Sequence, residues 1–178
     1  AARALAAARD WPADIRLSLN VTPNDLAASG LAGEFAALIE ASGFDPRRLT
    51  LEITEQALIG NLEAAGAALG QLKAAGVRVA LDDFGGGFCN FRYLKLLPLD
   101  ALKLDRSMID GIDSDPRDRE VLRAIVALAR ALGLSVVAEG VETTAQRAIV
   151  AAEGCAFYQG FLGAPPLSPR DFLDRLRA

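Results

Sequence analysis

Histidine is missing from all 178 residues, and that gap removes imidazole as general base, as activator of a nucleophile and as zinc ligand. Any metal site has to be built from oxygen. Cysteine is scarce as well: Cys89 and Cys155 show no paired spacing and read as free thiols of a reducing compartment rather than as a disulfide framework. No stretch approaches the roughly 20 apolar residues of a membrane span, and Ala1 to Arg9 lacks the apolar run and cleavage pattern of a signal peptide. The expectation is a cytoplasmic domain. An excess of basic residues is lacking too, and a net charge of −4 with a pI near 4.9 argues against tracking duplex nucleic acid. An anionic substrate would then need a metal or a local cation.

What is present fits one soluble domain over 1–178, since 52% hydrophobic and 24% charged residues are ordinary for a globular core. Four Ala/Leu-rich amphipathic segments end at Gly43, Gly76, Gly133 and Gly154, each followed by a β-type run: Leu49 to Ile53, Val77 to Leu81, Leu134 to Ala138, and Ala156 to Gln159. Two more strands are expected at Leu17 to Val21 and Ala101 to Leu104. Thr22-Pro23-Asn24-Asp25, Asp115-Pro116-Arg117-Asp118 and Ser168-Pro169-Arg170-Asp171 each supply a capping oxygen, a first-turn proline and an acid, the order of a helix start. Alternating strands and helices imply an α/β fold with a parallel sheet, either doubly wound or closed as a barrel. Asn20-Val21-Thr22-Pro23 stands where a dinucleotide-binding glycine loop would follow the first strand, which favours the barrel. A full barrel has eight strands and this chain supplies six, so two N-terminal strand-helix units are expected to be missing.

Along each strand the period of two sets one polar side chain against the apolar face: Asn20 against Leu17 and Leu19, Glu52 against Leu49 and Leu51, Asp82 against Val79 and Leu81. Lys103, Glu139 and Gln159 recur in the same way. A polar residue closing one strand is commonplace and caps the next helix. Six in phase would converge at the C-terminal mouth, where burying acids beside a lysine is costly without cations or tight pairing. Oxygen-only donors select Mg²⁺, Mn²⁺ or Ca²⁺ over zinc or copper. Adjacent Asp82 and Asp83 suit a two-metal site, one carboxylate bridging and its neighbour, turned away by the pleat, reaching the second ion. Phosphoester hydrolysis is the natural reaction class. The run Phe84-Gly85-Gly86-Gly87-Phe88 reads as a mobile loop over that site and, taken alone, as a weak phosphate cradle.

Leu51-Glu52-Ile53-Thr54-Glu55, Asp82-Asp83-Phe84-Gly85, Leu102-Lys103-Leu104-Asp105, Ala138-Glu139-Gly140-Val141-Glu142 and Gln159-Gly160-Phe161 resemble, in order and spacing, the motifs of the EAL domain family. The resemblance implies a TIM-like (β/α)₈ barrel that hydrolyses cyclic di-GMP to linear pGpG with Mg²⁺ or Mn²⁺, and in which Ca²⁺ binds and inhibits. It implies Asn20, Glu52, Asp82 and Asp83 as metal ligands, with Asp82 shared. Lys103 is then the cation at the attacking water or phosphate, Glu139 the acid beside that water, and Gln159 a residue orienting it. Glu55 would hold the loop after Asp83, with Glu142 and Asp105 supporting the same mouth. A homodimer through this domain and attached regulatory or diguanylate-cyclase-like domains are further implications.

Two departures from the family pattern stand out. The motif that gives the family its name, with its metal-ligating glutamate and a nearby substrate-contacting arginine, does not occur in this sequence. Gly86, Phe88, Cys89 and Asn90 replace the family's usual Thr, Tyr, Ser and Ser in the loop, which bears on metal-coupled loop ordering and communication across a dimer. Two rival readings remain. The first is a receptor that holds cyclic di-GMP without cutting it; the second is a barrel aldolase using Lys103 as a Schiff-base amine, which the surrounding acids disfavour.

Overall fold

The computed structural model describes residues 1–27, 30–59, 62–87 and 90–177, so Phe88 and Cys89 of the loop variation lie outside the described residues. The chain divides into two compact units, one of residues 1–80 with 96–99, the other of 81–95 with 100–178. Six strands follow the hydrogen-bonding order β1-β2-β3-β4-β5-β6, the chain order, as successive strand-helix units dictate.

The first unit contains α1 (Ala2–Ala8), β1 (Leu17–Val21), α2 (Pro23–Ala27), α3 (Leu31–Ser42), β2 (Leu49–Thr54), α4 (Leu62–Ala74) and the start of β3 (Arg78–Phe84). β1 and β2 pair in parallel, Leu17 with Leu49 through Val21 with Ile53. Leu49, Leu51 and Ile53 are fully buried while Thr50, Glu52 and Thr54 between them are half-buried, the expected period of two. Leu5, Leu69 and Leu72 complete this core from the helices. Arg48 ties the unit's opening loop to β2: its guanidinium donates to the carbonyls of Ile15 at 2.9 Å, Pro12 at 3.0 Å and Trp11 at 3.3 Å, and it stacks 5.1 Å from the Phe44 ring centre.

The second unit holds most of β3, then α5 (Phe91–Leu96, entering the first unit at its last residue), β4 (Ala101–Leu104), α6 (Pro116–Ala131), β5 (Ser135–Ala138), α7 (Thr144–Glu153), β6 (Phe157–Tyr158) and α8 (Pro169–Arg177). β4 pairs in parallel with β5, and β5 with β6. All four residues of β4 are buried, as in a parallel sheet covered on both faces, with Leu102 and Leu104 joined by Phe84, Ile109, Ile112 and Leu122.

The helix starts follow their chemistry. Asp115 accepts from the Arg117 N–H at 2.8 Å and Ser168 Oγ from the Asp171 N–H at 3.2 Å, each before a proline at the first helical position. The four glycines read as helix stops have φ values of 66° to 97°, the left-handed region. Strand lengths differ from the sequence reading at one informative place. β3 runs three residues beyond Leu81, so Asp82 lies within the strand, because the Phe84 carbonyl is still paired, accepting from the Asp105 N–H at 3.0 Å.

Candidate active site

In the second unit the polar residues are placed by the last bond of each ladder. The N–H groups of Asp105, Glu139 and Gln159 donate to the carbonyls of Phe84, Leu104 and Ala138, the final residues of β3, β4 and β5, at 3.0, 3.0 and 2.8 Å. Each strand is thus followed by a residue pinned to the end of its neighbour. This repeated stagger gathers Asp82, Asp83, Lys103 and Glu139.

Lys103 is 6% exposed, and its ammonium lies 2.8 Å from Asp82 Oδ1 and 2.6 Å from Glu139 Oε1. Both carboxylate atoms are out of solvent, and Lys103 is the cation beside each. Oxygens of Asp82, Asp83 and Glu139 come within 4.8 Å of one another. Buried Asp82, half-buried Glu139 and exposed Asp83 beside one ammonium leave a surplus of negative charge at the edge of the core, which a hard cation would relieve.

Successive strand residues ordinarily face opposite sides, so Asp82 and Asp83 should diverge. Asp83 is exposed between buried Asp82 and Phe84, as that alternation expects, and an oxygen of it still lies within 4.8 Å of one from Asp82; its φ of 57° is a left-handed conformation that no other described non-glycine residue adopts. Asp tolerates this region better than branched residues, though at a cost of about 1 kcal/mol relative to glycine.

Around the cluster, Asp105 caps a short 3-10 turn (Arg106–Met108), accepting from the Ser107 N–H at 2.9 Å; the Ser107 hydroxyl first, and this N–H second, hold its carboxyl below the usual range. Gly85 lies against Met108 and Gly86 against Asp105, so closely that a Cβ at either would displace its neighbour. Arg106 Nη1 is 3.0 Å from Glu142 Oε1. Gln146, buried in the first turn of α7, accepts from the N–H groups of Glu142 at 2.8 Å and Thr143 at 3.1 Å and completes a capping box with Thr143.

The remaining predicted residues are placed differently. Asn20 and Glu52 of the first unit are direct partners across β1 and β2, Asn20 exposed and Glu52 half-buried. Glu55, half-buried, opens a 3-10 turn (Glu55–Leu58) after β2. Gln159 is exposed, and its backbone carries the contacts, its carbonyl accepting from the Val141 N–H at 3.0 Å. Sequence reasoning missed Arg106 and Gln146. Thr143-x-x-Gln146 is a capping-box pattern that identifies the second, whereas nothing in the spacing singles out the first.

The family model described as "EAL domain" matches residues 1–166. The chain belongs to the EAL domain family. Among its relatives, the cyclic di-GMP phosphodiesterase NbdA of Pseudomonas aeruginosa is 40% identical over 164 residues, 92% of this chain but 21% of NbdA. The chain thus spans about a fifth of that relative's length. The EAL domain of Mycobacterium smegmatis DcpA has a TM-score of 0.93 and 36% identity, covering 99% of this chain and 81% of that one. Klebsiella pneumoniae BlrP1, solved as a manganese/cy-diGMP complex, has a TM-score of 0.82 and 29% identity, covering 90% of this chain and 42% of that one. The fold is accordingly the α/β, TIM-barrel-type fold of EAL domains.

Proposed function

We propose that this EAL chain carries the hydrolytic machinery of a cyclic di-GMP phosphodiesterase that opens one phosphodiester bond to give linear pGpG. The observation that carries the reading is the buried Lys103 ammonium between Asp82 and Glu139, with Asp83 in the same cluster. A divalent cation fits the donors, which are all oxygens with excess negative charge. Asp82 and Asp83 would hold it, and motif resemblance assigns Asn20 and Glu52 to the same donor set. When bound, Mg²⁺ or Mn²⁺ lowers the proton affinity of water and neutralises charge on the phosphoryl oxygens.

The chain's own residues do the rest. Lys103 presents positive charge to the anionic phosphoryl group and fixes the carboxylates of Asp82 and Glu139. Glu139 accepts the proton of the attacking water, whose oxygen bonds to phosphorus as the ester oxygen leaves. Gln159 orients that water. Asp105 and Glu142 brace the loops after β4 and β5, and motif resemblance alone assigns Glu55 the role of supporting the loop that follows Asp83. An aldolase reading fails on the pairing of Lys103, since an ammonium engaged by two carboxylates is not an amine nucleophile. Assembly as a homodimer, linkage to regulatory domains, inhibition by Ca²⁺ and a cytoplasmic setting belong to the same proposal.

The test is chromatography of protein incubated with cyclic di-GMP and Mg²⁺ or Mn²⁺. Conversion to pGpG, abolished by a chelator and reduced about 100-fold or more in Asp82→Asn, is the expected result. Intact substrate with both metals, in monomeric and dimeric fractions, overturns it.

A further inference from the structure

Glu139 begins a segment whose backbone is fixed on nearly every side. Its own N–H is bound to Leu104, Val141 exchanges bonds with the β6 loop through Gln159 and Leu162 at 3.0 and 3.1 Å, and Gln146 holds the N–H groups of Glu142 and Thr143. Gly160 lies so close to the Val141 backbone that any Cβ there would overlap it. Gly140 is the turning point of this segment, with φ of 70°. The space where its side chain would stand is filled by Arg106, whose Cγ, Cβ and Cδ lie 2.5, 2.8 and 3.2 Å from an ideal Cβ position.

We propose that Arg106 is the positioning residue for Glu139. Its hydrocarbon stem covers Gly140 and sets the turn that follows Glu139 on the β4 side, while the Gln159–Gly160 backbone fixes the same segment on the β6 side. The inference rests on the phosphodiesterase reading of the cluster and adds a residue which that reading does not use.

Two physical roles are available to Arg106, and they separate experimentally. Its ion pairs, with Glu142 at 3.0 Å and Asp110 at 3.4 Å, join side chains that are 36% to 56% exposed, and such surface pairs contribute little. The stem lies against Gly140 and so borders a backbone turn next to an atom that must stay 2.6 Å from Lys103. The geometry assigns the work to the stem. Arg106→Lys and Arg106→Met retain it, whereas Arg106→Ala and Arg106→Ser delete it.

The experiment measures three quantities for these variants: kcat and KM on cyclic di-GMP, the affinity for Mn²⁺ alone by electron paramagnetic resonance titration, and the thermal midpoint. The expected result is a fall in kcat of about 10-fold for Arg106→Ala and Arg106→Ser with KM changed by less than about 2-fold. Mn²⁺ affinity falls in the same variants, and Arg106→Lys and Arg106→Met stay close to the parent in both. Wild-type kcat and Mn²⁺ affinity in the stem-deleted variants overturn the proposal, as does an Arg106→Met variant as impaired as Arg106→Ala, which would transfer the role to charge. Asp82→Asn is the separating control: Mn²⁺ binding and hydrolysis that survive it overturn the phosphodiesterase reading itself, whereas their loss there alongside unaffected Arg106 variants overturns only the role of Arg106.

Discussion

Each compact unit holds a long cationic side chain inside its structure, and the partners of the two cations differ. Arg48 in the first unit faces neutral dipoles, the carbonyls of Trp11, Pro12 and Ile15, and the face of the Phe44 ring. Lys103 in the second faces full charges on Asp82 and Glu139, with Asp83 close by. A cation satisfied by carbonyls has completed its role by closing a loop. A cation outnumbered by carboxylates leaves an electrostatic imbalance, and imbalance in a desolvated place is what a substrate or metal can exploit. The difference separates a structural staple, part-buried at Arg48, from a candidate reaction centre, buried at Lys103.

Substitutions test that distinction. Removing the ammonium with Lys103→Met leaves Asp82 and Glu139 without their cation, and a loss of about 3 kcal/mol is expected in denaturant unfolding. Mn²⁺ should raise the thermal midpoint of this variant more than that of the parent, because the ion takes over the missing positive charge; an equal shift would break the comparison. Arg48→Ala removes the hydrogen bonds to three carbonyls and a ring contact without stranding a charge, so about 2 kcal/mol is expected, with Mn²⁺ affinity unchanged. A large drop in Mn²⁺ affinity in Arg48→Ala would remove the contrast.

A smaller effect sharpens the account of Asp83. Asp83→Gly relieves the left-handed backbone and should stabilise by about 1 kcal/mol while weakening Mn²⁺ binding. Asp83→Asn tolerates the conformation and should leave stability nearly unchanged with the same loss of metal affinity; equal Mn²⁺ affinity in both and in the parent would remove Asp83 from the site. The smallest effect concerns Cys155, whose thiol burial pushes up to about 11. A raised pKa means the folded state keeps its proton longer than the unfolded one, so the stability it contributes is constant below the unfolded value and declines as pH rises from about 9 toward 11. Peptide-resolved alkylation of Cys155 should be slow at pH 7.5 and accelerate toward pH 11.

Much of the second unit was legible beforehand. The strand at Ala101–Leu104 and the helix starts at Asp115 and Ser168 are local patterns of period, proline and capping oxygen, and local patterns survive folding. The polar residues after each strand were legible for the same reason. Their spacing was not, because it depends on which carbonyl ends the neighbouring ladder. Asp83 shows the limit most clearly: alternation sets it on the other face from Asp82, but its backbone angle of 57° is written in no local period. Arg106 was invisible because its role lies in a contact with Gly140, 34 residues away, that no periodicity encodes.

The sequence by itself determined the inventory: oxygen donors without histidine, one lysine among acids, and a strand-helix alternation that places them at successive strand ends. These follow from side-chain chemistry and from periods of a few residues. Tertiary structure decided which groups meet. The pairing of Lys103 with Asp82 and Glu139, the twist at Asp83 and the cover that Arg106 gives Gly140 arise from ladder ends and close packing between distant segments, where a shift of one residue or one dihedral angle reverses the outcome.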